Sequence, residues 1–171
     1  NPGTISLGQG VVSWGPPDTA YEGICRFRED AENHKYKLAQ GIPPLLDLIG
    51  EKLKVENGID LDPQDRVFVT AGANMAFINA ILAIADVGDE IILPAPFYFN
   101  HEMAVTMLGC KPVVVHTDSN HQLDLEALRT AITGKTRAIV TTSPNNPSGA
   151  VYPKEDLQAV TALCREFNLF H

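Results

Sequence analysis

Residues Arg66–Asp86 read RVFVTAGANMAFINAILAIAD, and the order of residue types within them decides the fold. Val67, Phe68 and Val69 form an unbroken apolar run, which predicts a short buried strand over 66–70. Ala71-Gly72-Ala73-Asn74 follows, a set of small residues suited to a tight turn. Met75–Ala85 then predicts a helix of mostly Ala, Ile and Leu, with Asn79 its only polar residue. A strand that passes through a small-residue turn into a helix leaves backbone N–H donors free at the helix start, where the helix dipole is positive. An anion such as a phosphate suits a cup of that kind at Gly72, Ala73 and Asn74. The alternative is an ordinary strand-to-helix turn. The stretch is neither a GxGxxG fingerprint nor a GxxxxGK[ST] loop, so a nucleotide is not the default ligand.

Upstream of this stretch, residues 1–17 are loop-rich, and Pro16-Pro17 stops any helix before it. Asp18 starts a predicted helix to about Glu32, with Ala20, Ile24, Phe27 and Ala31 on one face. His34–Gln40 is polar and extended. Pro43-Pro44 suits a first helical turn, Leu45, Leu46, Ile49 and Leu53 follow at helical spacing, and Asn57-Gly58 closes that helix. Downstream, Glu90–Leu93 predicts a strand ended by Pro94, and Phe97–Leu108 a helix stopped by Gly109. Val113–His116 is the next strand. Leu125–Ile132 is a helix that Asp124 caps, and Arg137–Thr142 is a further strand. Pro153–Phe167 is an amphipathic helix with Leu157, Val160, Leu163 and Phe167 inward, and Leu169-Phe170-His171 opens one more strand. Strand and helix alternate from residue 66 onward. That is the α/β class, a mostly parallel sheet with helices on both faces.

Ligands of such sheets gather beyond the carboxyl ends of the strands. Three loops fall there: Thr70–Asn74, Pro94–Asn100 and Thr142–Gly149. They offer an anion cup, the aromatic cluster Phe97-Tyr98-Phe99 and an Asn-rich turn. A flat aromatic ligand bearing a phosphate uses all three, and pyridoxal 5′-phosphate has that shape.

Composition narrows the function classes. A chain of 171 residues suits one domain with a respectable core, and 44% hydrophobic with 20% charged residues is ordinary for a globular protein. A net charge of −8 argues against a duplex nucleic acid or an anionic membrane surface as partner. No apolar run reaches transmembrane length. Cys25, Cys110 and Cys164 are far apart with no CxxC pair, which fits free thiols in a reducing compartment. His101-Glu102 has no second His at helical spacing, so no HExxH metal site is present. Asn1-Pro2-Gly3-Thr4 carries no signal-peptide pattern. Together these point to the cytoplasm, or to an organelle if a transit peptide precedes the chain.

The chain resembles the class I aminotransferases, the fold type I pyridoxal-phosphate enzymes related to aspartate aminotransferase. Asn146-Pro147-Ser148-Gly149 is similar to the family's NP[TS]G turn, which implies that the Asn146 side chain holds the cofactor's phenolic oxygen. Thr70–Ala76 is similar to the phosphate-binding TxGxxxA stretch, with Ala73 and Asn74 donating to the phosphate. Pro96–His101 stands where the family puts an aromatic ring over the pyridine; Tyr98 is the choice by spacing, with Phe97 and Phe99 as alternatives. Tyr36 with Gly41 resembles the YxxxxG segment, whose tyrosine reaches the phosphate of the neighbouring subunit's cofactor, and this implies a homodimer. Leu7-Gly8-Gln9-Gly10 resembles the loop at the mouth of the substrate site, where a backbone group near Gly10 meets the substrate carboxylate. Trp14 either lines the substrate pocket or is packed in the interior.

The resemblance implies residues 1–40 as an N-terminal segment belonging to the small domain and dimer contact. It implies 41–171 as the N-terminal part of the large cofactor-binding domain, incomplete at its C-terminus. The family's reaction rests on a lysine that joins the cofactor, an Asp that pairs with the pyridine nitrogen and an arginine that clamps the substrate carboxylate. All three lie beyond the NP[TS]G turn, and no lysine here has the family's Ser-x-x-Lys context. No catalytic residue is therefore assigned within the chain. The implied function is amino-group transfer from an amino acid to a 2-oxo acid. The alternatives are a related C–S lyase, an aminocyclopropanecarboxylate-synthase-like enzyme, or a non-catalytic binding or regulatory protein on the same half-fold.

Overall fold

The computed structural model describes residues 3–5, 10 and 12–171, and its contacts divide the chain into two units, Asn1–Phe68 and Val69–His171. The second unit contains the sheet. In order it runs α3 (Gly72–Ile84), β1 (Glu90–Ala95), α4 (Phe99–Met107), β2 (Lys111–His116), α5 (Leu125–Ala131), β3 (Thr136–Ile139) and α6 (Lys154–Glu166). The strands lie in the order β2-β1-β3, and both pairings are parallel. Phe170 adds a parallel bridge to Ala138 on the far side of β3, where the next strand was expected to open.

Side-chain alternation along β1 explains why helices cover both faces. Successive residues of a strand point to opposite sides. Ile91 and Leu93 pack with Ile81 of α3 and Val105 of α4. Ile92 packs on the other side with Leu128 of α5 and Val160, Leu163 and Cys164 of α6. All three β1 residues are almost completely sealed from solvent. The expected α/β architecture, a parallel sheet between two helical layers, is what the chain forms.

The local signals act as anticipated at several ends. The Asp124 carboxylate accepts the Ala127 amide at 2.9 Å and caps α5. In the first unit, α1 spans Asp18–Phe27 and α2 spans Pro43–Asn57. Two prolines open α2, and Gly58 closes it at φ 66, a left-handed conformation that glycine adopts without a Cβ penalty.

Other expectations are overturned. Residues 66–70 form no strand and pair with no described segment, and Phe68 is 64% exposed. An apolar run makes residues fit for a sheet, but a strand also needs a ladder to a neighbour, and residues 66–70 form none with any described segment. The helix predicted to reach Glu32 stops at Phe27, because Asp30 accepts the Glu32 amide at 2.9 Å and starts a separate 3-10 turn over Ala31–His34. Its apolar stripe is not buried, with Ile24 and Phe27 both exposed. α3 begins at Gly72, three residues before its predicted start, so the whole cup lies in the first helical turn.

β1 runs through Pro94 to Ala95, past its predicted end. Asp89 and Ala95 accept amides from Lys111 and Thr117, so odd-numbered residues of β1 bond toward β2. Pro94 therefore turns its missing donor toward β3, where pairing has already ended at Ile92–Ile139. Phe167, predicted to face inward, follows the end of α6 and is 41% exposed, 5.4 Å beneath the Arg129 guanidinium. Cys164 fills the buried stripe of α6 with Val160 and Leu163.

Glu90, at the start of β1, is a buried carboxylate. Thr133 donates its hydroxyl to Glu90 at 2.6 Å, and Lys111 donates its ammonium at 2.9 Å. These hydrogen bonds, that from Thr133 first, hold the carboxyl below its ordinary value of 4.5 although burial opposes them. A lowered folded-state value means that Glu90 stabilises the fold fully above the ordinary carboxylate range. That contribution fades as pH falls through the depressed value. Thr133→Val is expected to cost about 1–3 kcal/mol at about pH 7, with the gap to the parent narrowing in acid. Denaturant unfolding across pH measures it, and a gap independent of pH would detach Thr133 from the Glu90 charge.

Candidate functional site

The first turn of α3 presents two free donors. Gly72 sits at φ 79, and its own N–H donates to the Thr70 carbonyl at 2.8 Å. Ala71 precedes the helix and gives it no side-chain cap, and the first turn holds no acidic residue. Among the described residues, the amides of Ala73 and Asn74 thus remain open at the positive end of a 13-residue helix. Nothing negative in that turn opposes an anion.

The aromatic loop follows β1. Of the three rings, Phe97 packs against the core beneath α3 and α4, and Phe99 is 62% exposed at the start of α4. Tyr98, like Phe97, is half-buried. Its hydroxyl accepts from Asn100 Nδ2 at 2.7 Å, and its ring meets His101 edge-on at a 5.6 Å centroid separation. His101 stacks in turn on Phe77 of α3, with centroids 4.3 Å apart. Burial pushes the His101 imidazole below its ordinary value of 6.5, which favours the neutral ring in this aromatic stack. Tyr98 is therefore a ring gripped at its hydroxyl and along its edge.

The Asn-rich turn follows β3, and its two asparagines differ. Asn146 is exposed, and among the described residues its side chain makes no hydrogen bond. Asn145 is buried, and its Nδ2 donates to the Pro96 carbonyl at 2.8 Å and to Ser148 Oγ at 2.7 Å. The doubled Asn-Asn was the only sequence signal for this strut. Asn100 and His101 were likewise visible only as neighbours of Tyr98.

One hydrogen bond joins two of the loops, and one cleft is shared by the cup and the start of α4. Asn74 of the cup and Asn100 beside Tyr98 line one cleft of about 160 Å³ between α3 and α4. Asn145 joins the Asn turn to the aromatic loop. A larger cleft of about 460 Å³ lies elsewhere, between α3, β3 and Phe170. It is lined mainly by apolar groups such as Ile81, Ile84 and Val140 and includes none of the cup residues. Chemistry, not volume, singles out the three-loop edge.

Residues 2–171 match the family described as Aminotransferase class I and II. The chain belongs to that family. It is 36% identical to a probable aspartate/prephenate aminotransferase of Aquifex aeolicus over 97% of this chain and 42% of that protein. It is 33% identical to kynurenine–oxoglutarate transaminase 1 of Homo sapiens over 96% of this chain and 42% of that protein. Among solved structures, the aromatic aminotransferase of Pyrococcus horikoshii superposes with a TM-score of 0.88 at 34% identity, over 96% of this chain and 44% of that one. The chain thus spans about two fifths of the length of these relatives.

The family implies pyridoxal 5′-phosphate, and the donor set fits it. Two open helix-start amides suit a phosphate, a half-buried ring suits the face of a pyridine, and an unpartnered amide suits a phenolic oxygen. In the other unit, Tyr36 is fully exposed in the segment after the 3-10 turn, and Gly41 at φ 128 donates to the Leu38 carbonyl. Gly10 lies in exposed coil, and Trp14 is 73% exposed rather than packed in an interior. Leu7, Gly8 and Gln9 lie outside the described residues. Of the lysines in the second unit, Lys111 and Lys135 stand at the amino ends of β2 and β3, and Lys154 opens α6. Among the described residues no helix is long and apolar enough to cross a membrane.

Proposed function

We propose that this chain supplies the cofactor-holding part of a pyridoxal 5′-phosphate-dependent aminotransferase, which moves an amino group from an amino acid to a 2-oxo acid. The observation that supports the reading most is the hydrogen bond from Asn145 to Pro96, which ties the Asn turn to the aromatic loop, beside a cleft that Asn74 of the cup lines with Asn100. When bound, the cofactor acts as an electron sink for bond-breaking at the amino acid's α-carbon.

The chain's own residues hold and orient it. Gly72 lets the backbone turn into α3, and the Ala73 and Asn74 amides bind the phosphate. Tyr98 lies against the pyridine face, and Asn146 donates its side-chain amide to the phenolic oxygen. Tyr36 reaches the phosphate bound by the partner subunit of a homodimer. A backbone group at Gly10 meets the substrate carboxylate, and Trp14 lines the substrate pocket. No lysine of this chain is assigned the bond to the cofactor or the proton transfer that depends on it. The three free cysteines are in keeping with a cytoplasmic setting.

An absorption spectrum of the full-length protein, before and after addition of L-glutamate, tests the reading. A visible cofactor band that shifts with the amino acid is the expected result. Absence of any band with excess pyridoxal 5′-phosphate would sink it. Release of pyruvate or ammonia in place of turnover of a 2-oxo acid would redirect it to a lyase.

A further inference from the structure

We propose that Asn145 is a positioning residue that sets the spacing between the two loops on either side of the cofactor ring. The inference rests on the functional reading above, which assigns the ring contacts to Tyr98 and Asn146. Asn145 precedes Asn146, and the residue is only 6% exposed. Its Nδ2 carries two hydrogens, and both are used. One goes to the Pro96 carbonyl at 2.8 Å, across 49 residues of sequence, and the other to Ser148 Oγ at 2.7 Å. Pro96 stands two residues before Tyr98. One buried amide thus joins the neighbour of the oxygen-holding residue to the loop of the stacking residue.

The orientation of that amide follows from its partner. A carbonyl only accepts, so the nitrogen and not the oxygen of Asn145 must face Pro96. The backbone holds the same residue from the other side. Asn145 N donates to the Ala150 carbonyl at 2.8 Å, and the Asn145 carbonyl accepts from Gly149 N at 2.7 Å. Ser148 Oγ also accepts from Ala150 N at 3.2 Å. The turn therefore has one internal clasp and one outward strut, and Asn146 projects from it with its own amide free.

Net stability is a poor reason for such a group. A buried hydrogen bond adds little over apolar groups of the same shape, because its partners exchange water for protein. What it adds is direction and distance, since donor and acceptor must meet within a few tenths of an ångström. With the strut gone, the Asn turn and the aromatic loop share no other hydrogen bond among the described residues. The ring-holding groups would then lose their common reference.

The test uses the full-length protein with pyridoxal 5′-phosphate as probe. Asn145→Leu keeps the number and branching of the side-chain heavy atoms, adds no charge and removes both hydrogen bonds. It is expected to weaken cofactor binding about tenfold, the effect of one buried hydrogen bond. It should also move the pH midpoint of the bound cofactor's visible band. Ser148→Ala keeps the bond to Pro96 and should move the midpoint less, in the same direction. A purely structural Asn145 would lower the thermal stability of the cofactor-free protein and leave the midpoint in place, and that result overturns the proposal. Should Asn145→Leu fail to fold, an unmoved midpoint in Ser148→Ala overturns it instead. Asn146→Ala is the reference: a midpoint that moves there but not in Asn145→Leu defeats the strut alone. Failure of the unsubstituted protein to bind the cofactor defeats the functional reading and the strut together.

Discussion

Ile92→Ala is expected to destabilise the fold by about 2–5 kcal/mol, the range for a large side chain deleted from a sealed core. Ile92 has 0% exposure on the central strand, with a sheet neighbour on each side. It touches the cluster formed by Leu128, Ile139, Val160, Leu163 and Cys164, so a cavity there borders two helices and a strand at once. Backbone collapse cannot close it, because β1 is held by ladders to both β2 and β3. Val114→Ala is the control. Val114 lies on the outer strand β2 and is 45% exposed, so its loss should cost about 1 kcal/mol or less. Denaturant unfolding of the two variants measures the contrast. Equal losses would mean that β1 is not the centre of the fold.

Asn74→Asp should act in opposite directions on stability and on ligand binding. A carboxylate in the first turn of an uncapped helix interacts favourably with its dipole, so the cofactor-free protein should gain about 0.3–1 kcal/mol. The same carboxylate would face the phosphate of pyridoxal 5′-phosphate if Ala73 and Asn74 bind it. Like charges within a few ångströms should then weaken cofactor binding on the order of a hundredfold, after allowance for the exposure of Asn74. Thermal unfolding and cofactor titration read the two effects separately. An ordinary strand-to-helix turn predicts the gain in stability with unchanged binding, which would remove the cup from the site.

Local chemistry explains what was legible in the sequence. Asp124 caps α5 and Gly58 closes α2 because each signal is satisfied within a few residues of itself. Alternation of strand and helix indicated the sheet class, since parallel neighbours require a crossover between them. Asn146, Tyr98, Ala73 and Asn74 were chosen from short motifs, and the loops holding Tyr98 and Asn146 follow the carboxyl ends of β1 and β3. Signals that depend on distant residues misled. Val67-Phe68-Val69 has strand composition but no strand partner, and Pro94 looked like a terminator until its neighbours' hydrogen bonds showed which side its nitrogen faces. Phe167 continued a helical stripe on paper, but α6 ends one residue before it.

The sequence by itself determined the α/β class, most of the helix ends and the residue types of the candidate site, because propensity, capping and motif spacing are properties of neighbouring residues. Only the tertiary structure decided which asparagine is the buried strut and which is exposed, and which strand lies at the centre. Those outcomes depend on burial and on hydrogen bonds such as that from Asn145 to Pro96, whose partners are 49 residues apart and carry no mark of each other in the chain.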